Sequence, residues 1–355
     1  MRKSILLKTS AFAVLMLYAF MSKATIWRVN NNPNYTQGCN HCFSSLQTAI
    51  DDSTVMAGDT IHLEASPILY LGPGNYNGVN LNKRLVILGP GYFLNENSGL
   101  QNNTTSATLA KLYFLSGSDY SVVNGISIAH GAGSIDRAIE INNSSHISIE
   151  GCYLTRIYFN NNSPISDIVI KKSFITDEID DQFGADLSNL YISNSCILGN
   201  LHLRRASYAR SGEIIHCVLG KNSSTIDVTS AINMYNNIIY FGSFIQWNNG
   251  TNIHDNIFIQ NLPSWLTGGN NTPLPDSTVF ANTGSQDSSY NVKPTCSVCY
   301  TGFPTGTETI GIYGGADPYR LSGIPNIPTI YQLQSPLNIQ QGGTINVDIS
   351  TRSND

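Results

Sequence analysis

The sequence is short of charge: Asp, Glu, Lys and Arg together make up 12 % of its 355 residues, and 24 acids outnumber 19 bases. A nucleic-acid partner is disfavoured by that balance, because phosphate binding draws on clustered cations. After the first two dozen residues no apolar run approaches the ~20 residues that cross a bilayer core. There is no Rossmann loop, P-loop, HExxH or G-x-S-x-G element, so nucleotide and nicotinamide chemistry is set aside. The residues that do dominate are Asn, Ser, Thr, Ile and Gly, which make strands and turns and hardly any helix.

Residues 1–24 read as a secretory signal peptide. Arg2, Lys3 and Lys8 precede an apolar run from Ala11 to Phe20, and Ser22-Lys23-Ala24 supplies a small-residue cleavage site. Removing this segment deletes four bases (Arg2, Lys3, Lys8, Lys23) and no acid, which takes the net charge from −5 to −9. The expected location is secreted or cell-surface, and the expected state a monomer with no integral membrane segment.

A phrase recurs through the middle of the chain: an aliphatic anchor, two residues, then a small or polar residue followed by apolar ones. It runs Val123-Asn124-Gly125-Ile126, Ile149-Glu150-Gly151-Cys152, Ile170-Lys171-Lys172-Ser173, Ile192-Ser193-Asn194-Ser195, Ile214-Ile215-His216-Cys217, Met234-Tyr235-Asn236-Asn237 and Ile253-His254-Asp255-Asn256. The anchors step by 26, 21, 22, 22, 20 and 19 residues. Such a period is one coil of a solenoid, since no unit this short buries its apolar face alone. Upstream of most phrases lies a second alternating strand, as in Ile139-Glu140-Ile141, Ile157-Tyr158-Phe159, Leu201-His202-Leu203, Ile226-Asp227-Val228 and Ile245-Gln246-Trp247. The fourth position of the phrase, with Cys152, Ser173, Ser195, Cys217, Asn237 and Asn256, predicts a vertical ladder of hydrogen-bonding side chains.

With these features the chain resembles the pectin-lyase-like right-handed parallel β-helix superfamily. Phe43, Leu46, Ala49 and Ile50 share one helical face after Ser44 or Ser45 as N-cap, which predicts a short N-terminal capping helix over 43–50. Ala57-Gly58-Asp59-Thr60-Ile61 and Lys83-Arg84-Leu85-Val86-Ile87-Leu88-Gly89 are similar to the turn-strand and strand that open many such helices. The resemblance covers residues 25–265 and implies an all-β, single-stranded β-helix, in a superfamily of lyases, hydrolases, adhesins and proteins without a reaction. Residues 266–355 form a loop-rich tail that resembles the endings of exported β-helix proteins of Bacteroidetes-type bacteria, with Thr344 to Ile349 alternating like a last strand.

Seven cysteines leave at least one unpaired. Cys152 and Cys217 share a ladder position three coils apart, about 14 Å at ~4.8 Å per coil, beyond the ~7 Å a disulfide spans. Cys196 lies one place past the ladder and points the other way. Cys39-Asn40-His41-Cys42 and Cys296-Ser297-Val298-Cys299 are two C-x-x-C pairs. Local disulfides, a four-thiolate zinc site, a cross-link through a folded-back tail and free thiols are the alternatives; zinc requires the tail to return along about 45 Å of stacked coils.

The outward column of the upstream strands reads Glu140, Tyr158, Asp186, His202, Asp227, Gln246, with Ala185-Asp186-Leu187 taken as the strand of its coil and Arg204 two residues past His202. His202 between two carboxylates is the arrangement of a proton shuttle, so Asp186, His202 and Asp227 are the catalytic candidates. Glu140, Tyr158, Arg204 and Gln246 are the substrate-binding ones. An uncharged or basic extended polymer, an extracellular polysaccharide or cell-surface glycan, suits such a groove; the other reading is an ordinary solvated strand face. Asp177, Glu178, Asp180 and Asp181 read as an acidic loop that would hold Ca2+ through oxygen ligands, against the plainer reading of an exposed acidic loop. Ile175 stands where a polygalacturonase-like motif needs Asn, and the Gly-His-Gly and Arg-x-Lys motifs are absent, so polygalacturonase activity is not expected. Two functions follow: a secreted module that binds or processes polysaccharide along an outward strand face, or a non-catalytic surface, matrix or adhesion protein.

Overall fold

The computed structural model describes residues 24–34, 39–73, 78–128, 139–160, 164–181, 185–203, 211–221, 224–228, 231–240, 244–247, 252–266, 268–281, 286–336 and 341–354. The expected signal segment therefore lies outside the described residues, apart from Ala24. Within them the chain is a parallel β-solenoid, the architecture that the repeat and the resemblance imply.

The phrase strands build the first sheet. From Ile26–Val29 through Thr60–Leu63, Val86–Leu88, Val122–Asn124, Ser148–Glu150, Val169–Lys171, Leu190–Ser193, Ser211–Ile215 and Ala231–Tyr235 to Asn252–His254, each strand pairs in parallel with the next. The anchors stand in unbroken register, Val123 on Ile149, Ile170, Ile192, Ile214, Met234 and Ile253. All are buried, and removing an Ile-sized side chain from water contributes roughly 1.5–3 kcal/mol. β-branched residues are favoured here because their stiff side chains pack against equivalents one strand away.

At the end of each phrase the chain turns a corner into the second sheet, and the corner residue is left-handed. Gly125, Gly151, Lys172, Asn194, His216, Asn236 and Asp255 all have φ between 48° and 72°. The ladder residue follows it. Ser173 Oγ accepts from Cys152 N at 3.2 Å, Ser195 Oγ from Ser173 N at 3.1 Å, Asn237 Oδ1 from Cys217 N at 2.9 Å and Asn256 Oδ1 from Asn237 N at 2.9 Å. Asn271 adds a further rung by accepting from Asn256 N at 3.1 Å. Pairing accordingly continues to Thr272–Leu274, past the expected boundary at 265.

The amino-terminal helix is Leu46–Asp51, capped by Ser45 Oγ, which accepts from Thr48 N. Phe43, expected in the helix, instead pairs with Val29 in the first sheet. Asp59 of the opening turn is a bracket: it accepts from Thr25 N, the Trp27 indole and Met56 N, each at 2.8 Å. No helix among the described residues is long and apolar enough to cross a membrane.

The tail folds back along the coils. Its described residues from 279–281 and 286–319 cover an outward apolar column of the second sheet, in which Phe174, Cys196, Val218, Ile238 and Ile257 are in register. Val279, Phe280, Tyr290, Ile310, Ile312 and Tyr319 pack on that column as a second core outside the solenoid. Its polar centre is Asp287, fully buried, which accepts from Asn97 Nδ2 at 2.8 Å, Tyr319 Oη at 2.9 Å and Ser322 N at 2.7 Å. The last strand is Asp348–Arg352, later than the expected 344–349, and it pairs antiparallel with Thr329–Gln334.

Cys39 is bonded to Cys42 and Cys296 to Cys299, while Cys152, Cys196 and Cys217 are buried free thiols. Thiol titration of the denatured, unreduced protein therefore yields three free thiols per chain; seven would exclude both bridges. Asp287→Ala strands three donors in the second core and lowers stability by on the order of 3 kcal/mol in denaturant unfolding. A change under about 0.5 kcal/mol, the range of surface substitutions, would show that the tail is not held there.

Candidate functional site

The register of the second sheet corrects the outward column. Glu140 pairs with Tyr158, Tyr158 with Asp180, Asp180 with His202, and His202 with Asp227. Asp180 therefore stands beside His202, and Asp186 does not. Asp186 lies just before Leu187–Ser188, which pairs with Ile165–Ser166 on a separate face of the coil. The physical reason is Asp181: it occupies the inward position held by Phe159 and Leu203 in the flanking coils, so the apolar-polar-apolar alternation is broken at the true strand.

An acid, a histidine and an acid thus do stand side by side on adjacent strands, as Asp180, His202 and Asp227. All three are covered, at 7 %, 7 % and 9 % exposure, and Tyr158 is at 2 %. Glu140 is half-buried and accepts from Asn160 Nδ2 at 2.9 Å. Gln246 pairs with Asp227 through the backbone, its side chain outside the described residues, as is Arg204.

The acidic segment is a strand, not a loop: Phe174–Asp180 pairs with Tyr153–Phe159 across a bulge near Thr176 and Asp177, and Glu178 and Asp180 share one side of it. Arg156 reaches Asp177 at 2.8 Å and Glu178 at 2.9 Å, while Asp180 and Asp181 are buried. Among the described residues no group of three or more His, Cys, Asp or Glu is gathered as a metal site.

The open concave surface lies on the first sheet, where the tail supplies a second wall. The second position of each phrase points outward there: Glu150, Lys171, Ser193, Ile215 and Tyr235 are in register. The left-handed corners beside this row seat the tail. A Cβ on Gly125 would lie 2.5 Å from Pro325 Cγ, so only glycine permits that approach. Lys172 Nζ donates to Asp317, and Asn194 Nδ2 donates to the carbonyls of Ile312 and Gly314 at 2.9 and 2.8 Å. Asn236 makes a two-way amide pair with Phe303, accepting from its N at 2.9 Å and donating to its O at 2.6 Å.

Between row and tail lie hollows. One of 750 Å3 sits over the first coils, with Arg28, His62 and Glu64 on the strand side and Ile324, Ile330 and Leu333 on the tail side. Arg28 and Glu64 are an ion pair within it. Burial lowers the His62 pKa, an effect that Glu64 opposes. Another of 520 Å3 is floored by Val169, Lys171 and Ile215 and walled by Tyr191, Tyr235 and Phe303. Two of these rings join His254 in one cluster: Tyr235 stacks on His254 at 5.2 Å and meets Phe303 edge-on at 5.4 Å. Sequence reasoning missed this site. The outward second position of the phrase was legible, but the wall comes from a tail with no repeat to place it.

No family model and no curated protein sequence matches the chain. Among solved structures, that of a pectin methylesterase mutant in complex with a hexasaccharide is similar over 72 % of this chain and 94 % of that chain, at 9 % sequence identity and a TM-score of 0.25. A likeness of that size bears on no residue of the groove.

Burial works to raise the Asp317 pKa, but the Lys172 hydrogen bond and the charges of Lys172, Lys171 and Arg320 outweigh it and hold the carboxyl below its usual range. A depressed acid contributes stability that is complete above the unfolded carboxylate pKa of about 3.9 and disappears as pH falls through the lower folded value. Limited proteolysis of the tail near 315–320 should therefore accelerate below that pH, and Asp317→Asn should show the faster cleavage already at pH 7. Equal cleavage of variant and parent at pH 7 would show that the pair does not hold the tail.

Proposed function

We propose that the protein binds an extended polysaccharide along the groove between the outward row of the first sheet and the returning tail. The observation that carries this reading is the 520 Å3 hollow with its aromatic wall of Tyr191, Tyr235 and Phe303 beside the in-register strand residues Lys171, Ser193 and Ile215. A glycan laid parallel to the solenoid axis meets one outward side chain per coil, about 4.8 Å apart, a spacing close to the length of one pyranose unit. Aromatic faces suit the C–H face of such a ring, and the side chains of Lys171 and Ser193 supply hydrogen bonds to its hydroxyls. The acidic excess of the chain argues against a polyanionic glycan and for a neutral or basic one. As an exported protein it would meet such a polymer outside the cell or at its surface.

Affinity electrophoresis and a glycan array with the purified protein test the reading. Retardation by a neutral or basic polysaccharide is expected, with Tyr235→Ala weakening it about tenfold, the equivalent of ~1.4 kcal/mol. Absence of binding to every glycan offered would overturn it.

A further inference from the structure

The aromatic hollow is chemically lopsided. At one end Lys171 lies 3.2 Å from Glu150 and 3.7 Å from Asp317, and Lys172 is also paired with Asp317, so the cations of that end are neutralised. Towards the other end stands the half-buried carboxylate of Glu308, with that of Glu213 near by but outside the lining, and neither forms an ion pair with a described residue. Glu308 lines the hollow from the tail. Glu213 is in register with Tyr191 on the neighbouring strand. Burial first, and then the Glu213 charge, push the Tyr235 phenol up, which places the negative potential of Glu213 on the ring wall.

The ring wall is fixed in place. Phe303 is held by both halves of the Asn236 amide and still presents 43 % of its surface, while Tyr235 is buttressed by His254, whose Nδ1 is 2.6 Å from Asp255. A rigid, partly exposed pair of rings with nearby unneutralised carboxylates is the surrounding that attracts a cation through ring faces and charge together.

A second, independent feature concerns His216, which lines the same hollow at 6 % exposure. Because Phe303 N donates to Asn236 Oδ1, the Asn236 nitrogen is the atom 3.3 Å from His216 Nε2, so Nε2 accepts and the ring proton sits on Nδ1. Nδ1 is sealed under the tail, against Gly314 and towards the Thr309 carbonyl, and is closed to a ligand. Burial holds the imidazole neutral by lowering its pKa, so His216 brings no competing positive charge to that end of the hollow.

We propose that the Glu213, Glu308, Tyr235 and Phe303 end of the groove is a subsite for a cationic sugar unit bearing a free amine, of the glucosamine class. The ammonium lies against the rings and is neutralised by Glu308, with the Glu213 charge behind the ring wall. The inference rests on the saccharide reading above and narrows it.

The probes are glucosamine hexamer, N-acetylglucosamine hexamer and a neutral glucose hexamer of the same linkage, titrated calorimetrically into the full chain at a pH where the amine is protonated. The glucosamine hexamer should bind at least tenfold tighter than its acetylated counterpart, with an affinity that falls as salt is raised. The Glu213→Gln, Glu308→Gln double variant, checked for unchanged thermal unfolding, should erase that preference. Equal affinity for the free-amine and acetylated hexamers overturns the subsite while leaving the glycan groove standing. A preference that survives the double variant also overturns it, and failure of all three hexamers together with the polysaccharides overturns both readings.

Discussion

A side-chain oxygen on one coil accepting the backbone N–H of the coil before it, just past the corner, is the bond on which the rest of this structure depends. Hydroxyls make the rung from Cys152 to Ser195 and amides from Cys217 to Asn271, while between these two runs Cys217 Sγ turns to the Ile192 and Ile215 carbonyls. Each such bond contributes only about 1 kcal/mol net, while leaving the buried N–H unmet costs ~1–3 kcal/mol. The ladder therefore acts less as glue than as a penalty on slippage. A one-residue slip would turn the inward anchors outward along every later strand, so the register set at the corner fixes the inner core and the outer rows together.

The same corner creates the demand that the tail meets. Left-handed backbone costs a non-glycine residue roughly 1–2 kcal/mol, and five successive phrases place Lys172, Asn194, His216, Asn236 and Asp255 there. These corners aim side chains away from the solenoid, and the tail supplies partners for them: the Asp317 carboxylate, the carbonyls of Ile312 and Gly314, and both backbone groups of Phe303. In covering the corners it also covers the apolar column headed by Phe174, which would otherwise be an exposed hydrophobic stripe. One segment thus offsets backbone strain, completes a second core and raises a wall beside the first sheet.

Features with a period were readable from residues alone. The anchors, the ladder and the free thiols at Cys152 and Cys217 all follow from stepping about one coil at a time. Asp186 takes the place of Asp180 in the sequence pattern because Asp181 fills a position that the pattern reserves for Phe159 and Leu203, and apolar flanks return only at Ala185-Asp186-Leu187. The route of the tail had no period, yet it left a trace in the solenoid. After the ladder position come two apolar residues in a row, as in Phe174-Ile175, Val218-Leu219 and Ile238-Ile239. In a strand one of the two must face out, and an outward apolar residue on coil after coil marks a surface buried on both sides. The groove was legible to the same degree: its floor is the second position of the phrase, while its wall depends on a fold-back that only the structure locates.

The tail sets the charge of the groove as well as its shape. Lys171 on the outward row and Lys172 at the corner are successive residues that point to different surfaces, and both are brought to Asp317. Without that carboxylate the floor of the aromatic hollow would carry positive charge beside Glu308, and the carboxylates there would be neutralised from within. With it, the lysines are neutralised by the tail, and Glu213 and Glu308 keep their charge for whatever enters. A wall residue some distance along the chain from both glutamates therefore decides whether the hollow repels or attracts a cation, which ties the selectivity of the groove to the docking of the tail rather than to the strand face alone.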